Sequence, residues 1–199
     1  MIKIIDNFLE DTENIDWLYT YFKHSGSYQF DFMPSSYVNK GKHTSEVDHR
    51  ICKVIKAFCS ADFSSPAVGY EPWVNVLDID NDHLQHHVDC SEEEDELVPA
   101  KITATLHLGP SDEMEGGEMA VNVNPYNGSE EEPFIYDTIY DLKRNLDNEW
   151  IIIPYRYNRM IMFDSRLPHA VLPIKHITLN ESRISFMSAS WDRKIKVKK

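Results

Sequence analysis

Followed along the chain, the apolar positions change period once, near Tyr70. Before that point "MIKIIDNFL" opens with a predicted strand, Ile2 to Ile5. A helix comes next. Asp11 or Thr12 can cap it, Ile15, Leu18, Tyr19 and Phe22 recur at helical spacing on one face, and "HSGS" from His24 ends it. A mixed polar stretch runs to about residue 48. "VDHRICKVIKAFC", Val47 to Cys59, then repeats the amphipathic pattern, with Ile51, Ile55 and Phe58 sharing a face. Beyond Tyr70 the period becomes two. "EPWVNVLDI" sets Trp73, Asn75 and Leu77 against Val74, Val76 and Asp78, and "KITATLHLG" sets Ile102, Ala104, Leu106 and Leu108 against Thr103, Thr105 and His107. "GGEMAVNV", "EWIIIP", "NRMIMFD", "PHAVLPI" and "RISFMSASW" continue the series. Two helices followed by many short strands predict a sandwich or barrel with helices packed on one face. The long connection Asn124 to Asn148 predicts a polar front and a helix from Ile135 to Leu146, and connections of this length usually cover a site or move. The acidic runs Ser91 to Glu96 and Ser111 to Gly117 read as solvated loops.

Composition narrows the partners. The 199 residues, 42% of them hydrophobic, suit one domain around one core. It divides into an N-terminal strand-and-helix part (1–69), a strand-rich core (70–192) carrying the insert 124–148, and a basic, solvated tail (193–199). A net charge of -13 repels phosphate backbones, so nucleic acid is not an expected partner. No apolar run approaches a membrane span, so no membrane partner is expected either. Cys52, Cys59 and Cys90 are odd in number and lack framework spacing; with no signal peptide visible, they point to a reducing cytoplasm.

The chemistry concentrates in "LQHHVDC", residues 84–90. In a strand, side chains at i and i+2 share a face, so His87 and Asp89 point together and His86 points away. His83 has the right parity but lies roughly 13 Å from His87 at strand rise. Cys90 adjoins the pair and reads as a bystander thiol. A third ligand is available at His169, at the start of "HAVLPI" after Pro168. Two imidazoles and one carboxylate form the facial set that suits non-haem Fe(II) and leaves three positions open. Arg183 lies on the next strand and can fold back beside the site, with Ser185 on the same face. Its planar fork suits a carboxylate. Fe(II) and Arg183 contribute +3, Asp89 contributes -1, and a bound dicarboxylate contributes -2, so the set balances. His107 is read equally as a pocket wall or a structural residue, and Arg166 as a substrate contact or an ion-pair partner. His176 is expected to be exposed, and Trp73 and Trp191 to be core or rim.

In order along the chain, "HVD" (87–89), "GGEM" (116–119), "IIIPYRYNRMIMFDSRLPHAV" (151–171) and "RIS" (183–185) resemble the Fe(II)/2-oxoglutarate-dependent oxygenases, in particular their prolyl-4-hydroxylase-like branch. The opening "IKIIDNFL" is similar to the start of that branch, so the resemblance spans most of the chain. It implies a double-stranded β-helix (a distorted jelly roll) with N-terminal helices on its major sheet. It also implies Fe(II) held by His87, Asp89 and His169, 2-oxoglutarate as cosubstrate held by Arg183 and Ser185, O2, and room for ascorbate as an added cofactor. The implied reaction hydroxylates an unactivated C–H bond with release of succinate and CO2. Asp89 favours hydroxylation over halogenation, because the family's halogenases lack that carboxylate. The implied substrate is a prolyl or other amino-acid residue in a protein or peptide, or a small amino-acid-like molecule. Two departures stand out. Tyr157-Asn158 occupies a turn where the family usually carries glycine, and asparagine tolerates the left-handed conformation. The family's tyrosine that touches the cosubstrate is replaced by Asn75, Thr103 or Thr105. The competing readings are a cupin-like metalloenzyme that does not use 2-oxoglutarate, and a non-catalytic jelly-roll binding module.

Overall fold

The structure, a computed structural model, describes residues 1–40, 43–61, 67–79, 84–93, 96–111, 114–125 and 149–195. Its elements in order are β1 (Ile2–Ile5), α1 (Thr12–Ser25), β2 (Tyr28–Gln29), β3 (Met33–Pro34), α2 (Ser35–Val38), α3 (Glu46–Ser60), β4 (Gly69–Leu77), β5 (Leu84–His87), β6 (Cys90–Glu93), β7 (Glu96–Pro99), β8 (Ile102–Gly109), β9 (Glu115–Gly116), β10 (Met119–Asn122), β11 (Trp150–Ile153), β12 (Met160–Asp164), β13 (His169–Val171), β14 (Ile174–His176) and β15 (Arg183–Trp191). The helix expected at Ile135–Leu146 lies outside the described residues, as does nearly all of the 124–148 insert.

Both main helices begin at side-chain caps. Asp11 accepts from the Asn14 N–H at 3.1 Å, and Ser45 accepts from the Asp48 N–H at 3.0 Å. Their apolar stripes bury Ile15, Leu18 and Phe22, and Ile51, Val54, Ile55 and Phe58, against one face of a seven-stranded antiparallel sheet. That sheet runs β1-β12-β8-β15-β4-β2, with β3 also on β4. It supplies Val74, Ala104, Leu106, Leu108, Met160, Met162, Ile184 and Phe186 to this layer. A four-stranded sheet, β11-β10-β13-β5, covers the other face, where Met119, Val121 and Ile153 pack on Ile161 and Phe163, and Val171 packs with Leu77. Two facing antiparallel sheets with helices on the larger one form a double-stranded β-helix.

The alternation in β8 has a specific consequence. Ala104, Leu106 and Leu108 face the helices, whereas Thr103, Thr105 and His107 face the second sheet and are at most 2% exposed. A polar stripe on the hidden side of a doubly covered strand lines a chamber.

Several expectations are corrected. Of the acidic run at 91–96, residues 91–93 lie in β6 and Glu96 begins β7, and the two strands pair antiparallel. Glu115 and Gly116 of the second run form β9 and pair with β14. "PHAVLPI" splits into β13 and β14, so His176 ends a strand instead of sitting in a loop, and it is exposed as expected. Among the described residues no helix is long and apolar enough to cross a membrane.

Asn158 does adopt the left-handed conformation, at φ 54°. Its side chain explains why glycine would not serve there. The amide oxygen accepts from the Leu9 N–H at 3.0 Å, and the amide nitrogen donates to the Leu9 carbonyl at 2.9 Å, tying the N-terminal segment to the β11–β12 turn. Asn158→Gly keeps the dihedral but loses both bonds, and is expected to lower the unfolding free energy by about 1–3 kcal/mol in urea titration.

Candidate metal centre

β5 ends at His87 and β13 begins at His169, and the register places these two residues opposite each other. Their ring centroids are 4.3 Å apart. Asp89 follows two residues after the end of β5, so the strand on which the parity argument rests stops at His87. The carboxylate reaches the same place by other means. The Asp89 carbonyl accepts from the Ala100 N–H at 3.0 Å, and the Thr103 hydroxyl donates to Asp89 Oδ2. Asp89 Oδ1 lies 3.7 Å from His87 Nε2, and Oδ2 lies 3.7 Å from His169 Nε2. One ligand atom from each of the three residues falls within 4.8 Å of the others, the one such group of three among the described residues. Cys90 is not part of it. His83 and the side chain of His86 lie outside the described residues.

His169 Nδ1 sits 3.1 Å from the Leu167 carbonyl and donates to it, which presents Nε2 to the cluster. Phe163 braces the ring edge-on, with centroids 4.8 Å apart. Exposure is graded: the side chains of His87, Asp89 and His169 are 39%, 11% and 2% exposed, so the cluster opens on the His87 side. Two neutral nitrogens and one carboxylate oxygen, closed behind and open in front, fit Fe(II). Thr103 is in turn 2.9 Å from the Ser165 hydroxyl. Thr103→Val keeps shape and removes the bond to Asp89, and is expected to weaken Fe(II) binding about 10–100-fold with an unchanged melting temperature, checked by anaerobic metal titration.

A second constellation lies deeper on the same chamber face. Arg183, 1% exposed, donates from Nε to the Gly117 carbonyl at 3.0 Å and from Nη1 to Ser185 Oγ at 2.9 Å. Nη2 is 3.4 Å from His107 Nε2, and the Tyr155 ring lies 5.6 Å from the guanidinium carbon. Burial pulls the Arg183 pKa down to about 10, which leaves it charged at neutral pH. Burial, and then the Arg183 charge, hold His107 well below the usual imidazole range. The neutral ring faces the Arg156 carbonyl with Nδ1 at 3.2 Å, so Nδ1 donates there and Nε2 accepts from Arg183. Tyr155 stacks on His107 at 4.7 Å. Among the described residues no carboxylate oxygen comes within 4.0 Å of Arg183. A buried cation with no carboxylate in ion-pair contact is costly; the charge of Glu118 favours the charged form of Arg183 without pairing with it, and such a fork can receive an anion. Gly117, at φ 65°, serves this site: a Cβ there would stand 3.0 Å from Arg183 Cδ.

Of the residues considered for the missing tyrosine, Thr103 is committed to Asp89, and Asn75 donates to Met187 Sδ at 3.3 Å. The Thr105 hydroxyl is buried with no hydrogen-bond partner. Arg166 pairs with Asp164 at 2.6 Å on the surface. Trp191 is core, and Trp73 is half-buried. Tyr155 went unmarked in the sequence; its single cue there is an aromatic side chain directly after Pro154.

A sequence profile described as the 2OG-Fe(II) oxygenase superfamily matches residues 73–190. The chain belongs to this superfamily. Its members use Fe(II), 2-oxoglutarate and O2, and the oxygenase is similar in fold to several solved relatives. A Pseudomonas putida prolyl-4-hydroxylase superposes with a TM-score of 0.59 at 13% identity, covering 96% of this chain and 92% of its own. A prolyl hydroxylase from Trichoplax adhaerens, solved with a hypoxia inducible factor peptide fragment, gives 0.57 at 14%, covering 96% and 83%. The viral collagen prolyl hydroxylase of Paramecium Bursaria Chlorella virus-1, solved with 2-oxoglutarate, gives 0.55 at 20%, covering 95% and 94%. At these identities the likeness carries the fold. No curated protein sequence matches the chain.

Proposed function

We propose that this oxygenase hydroxylates an unactivated C–H bond of an amino-acid residue in a peptide or protein, prolyl included, or of a small amino-acid-like molecule. In this reading His87, Asp89 and His169 hold Fe(II), and Arg183 and Ser185 hold the far carboxylate of 2-oxoglutarate. The observation that carries it is the buried Arg183 fork, with no carboxylate oxygen of the described residues within 4.0 Å, on the chamber face beside a His-Asp-His cluster. The peptide-bound and collagen-type relatives support an amino-acid substrate by fold alone.

Bound at this centre, Fe(II) with 2-oxoglutarate and O2 would supply an oxidant able to insert one atom of O2 into a C–H bond, the other atom entering succinate as CO2 leaves. The chain's own contribution is placement and electrostatics. Arg183 offers Nη1 and Nη2 to the carboxylate where water cannot compete, so each bond is worth more than at a surface. Ser185 adds a hydroxyl, and His107 and Tyr155 wall the carboxylate off. Thr103 holds Asp89 in the orientation that the metal needs. The graded exposure of the cluster directs the substrate to the His87 side. The charges of Fe(II), Arg183, Asp89 and 2-oxoglutarate sum to zero, so the loaded metal and 2-oxoglutarate sites are neutral together.

The test is a screen of amino acids and short peptides, prolyl peptides among them, that couples succinate release to a one-oxygen gain in mass. Succinate and the mass gain are expected to appear together for one class. Succinate release unaffected by every compound, with no mass gain, would contradict the reading.

A further inference from the structure

Glu71 is a carboxylate on the chamber face that the mechanism above does not use. Glu71 lies in β4, opposite Ala189 of β15, and Ala189 lies opposite Thr103 of β8. The three share one row on the chamber face, so Glu71 stands about two strand spacings, roughly 10 Å, from the residue that holds Asp89. Ala189 between them is 1% exposed and packs in an apolar cluster with Ala100 and Trp191. Glu71 is half-buried and accepts one bond, from Gln29 Nε2 at 2.7 Å. Among the described residues no Lys, Arg or His nitrogen comes within 4.0 Å of it. Burial, and then the negative charge of Asp89, push its pKa up.

The surroundings are aromatic. Trp73 is the next chamber-facing residue on β4, and Trp73 and Phe32 pack on the cluster of Ala100, Ala189 and Trp191. Two polar groups nearby are buried and lack a hydrogen-bond partner of normal geometry. One is the Trp191 indole N–H, which lies near enough to Glu71 to favour its charged form; the other is the Thr105 hydroxyl, one row further along β8. This wall carries one unpartnered hydroxyl, indole rings and one carboxylate, the kinds of group that meet a polar ligand.

We propose that Glu71 selects a substrate carrying a positive charge, an ammonium or guanidinium group, and holds it against Trp73 while the reacting C–H bond faces the metal cluster. The reasoning is one of balance. The loaded metal and 2-oxoglutarate sites sum to zero, and Glu71, bonded by Gln29 and favoured by the Trp191 indole N–H, remains a half-buried negative charge with no cation beside it. Such a charge is costly until a cation joins it, and indole faces add to a cation's affinity. The loaded metal and 2-oxoglutarate sites, neutral in sum, add no net repulsion to that cation. Glu71 makes no bond to the metal ligands, so its removal leaves the oxidising machinery in place.

This rests on the metal reading, and the test separates the two. Protein loaded anaerobically with Fe(II) and 2-oxoglutarate is titrated with L-arginine, L-lysine and their neutral counterparts L-citrulline and L-norleucine. The readout is the shift of the visible charge-transfer band and, in air, the stimulation of succinate release. At least one cation is expected to bind tenfold or more tighter than its neutral counterpart. In Glu71→Gln, which keeps shape and the bond from Gln29, that advantage is expected to shrink below twofold with the unliganded band unchanged. Equal binding of charged and neutral compounds, or an advantage that persists in Glu71→Gln, overturns the inference and leaves the metal reading standing. Absence of the band in the wild-type protein removes the metal reading, and this inference with it.

Discussion

Arg183→Met is expected to raise the 2-oxoglutarate concentration needed for half-maximal turnover about 100-fold or more, and to leave the ligand-free protein at least as stable as the wild type to within about 1 kcal/mol. Most buried-residue changes couple loss of function to loss of stability. Here they separate, because of what surrounds the guanidinium. It is 1% exposed, donates only to a carbonyl, a hydroxyl and a neutral imidazole, and lies over the Tyr155 ring. None of these returns the solvation that a cation loses on burial. Methionine fills a similar volume and removes that cost, at the expense of three modest hydrogen bonds. Adding 2-oxoglutarate should raise the melting temperature of the wild type and not of the variant. Arg183→Lys keeps charge but loses the planar fork, and its affinity is expected to fall between the two. Thermal shift with and without 2-oxoglutarate, beside steady-state kinetics, measures both halves. A variant that loses several kcal/mol of stability would make Arg183 a structural residue.

Asp89→Ala is expected to lower turnover about 1,000-fold or more, several kcal/mol in barrier terms, with loss of Fe(II) binding and little change in fold. Asp89 supplies the one anionic oxygen of the cluster, and its two oxygens face one histidine each at 3.7 Å. Its removal leaves two imidazoles held by the β5–β13 pairing, a weak site without an anion. Cys90→Ala, next in sequence but outside the cluster, is expected to stay within twofold of the wild type. Iron content after gel filtration and succinate formation read the comparison.

The period of apolar residues was enough to place much of this fold. β1 occupies the expected Ile2–Ile5, α1 is capped at Asp11, and β4, β8, β12 and β15 fall where alternation put them. The β6–β7 hairpin was hidden because its acidic residues are those that strands disfavour. Strand parity paired His87 with Asp89, and His169 was added as an available third ligand, yet β5 stops at His87. What brings Asp89 to the histidines is the hydroxyl of Thr103 and the backbone of Ala100, contacts between segments that no local pattern reveals. Thr103, Thr105 and His107 were visible as a polar stripe. That the stripe faces inward depends on the second sheet covering it. Tyr155 reaches Arg183 from the segment between β11 and β12, and its place follows from tertiary packing alone. Asn158 was legible as a left-handed residue, but its bonds to Leu9 were not.

The central claim is that one chamber holds both Fe(II) and 2-oxoglutarate. Anaerobic titration of the folded protein, first with Fe(II) and then with 2-oxoglutarate, tests it most directly. The account predicts a visible metal-to-ligand charge-transfer band that saturates at one equivalent of each and is absent in His87→Ala. A well-folded wild-type protein that develops no such band would contradict it.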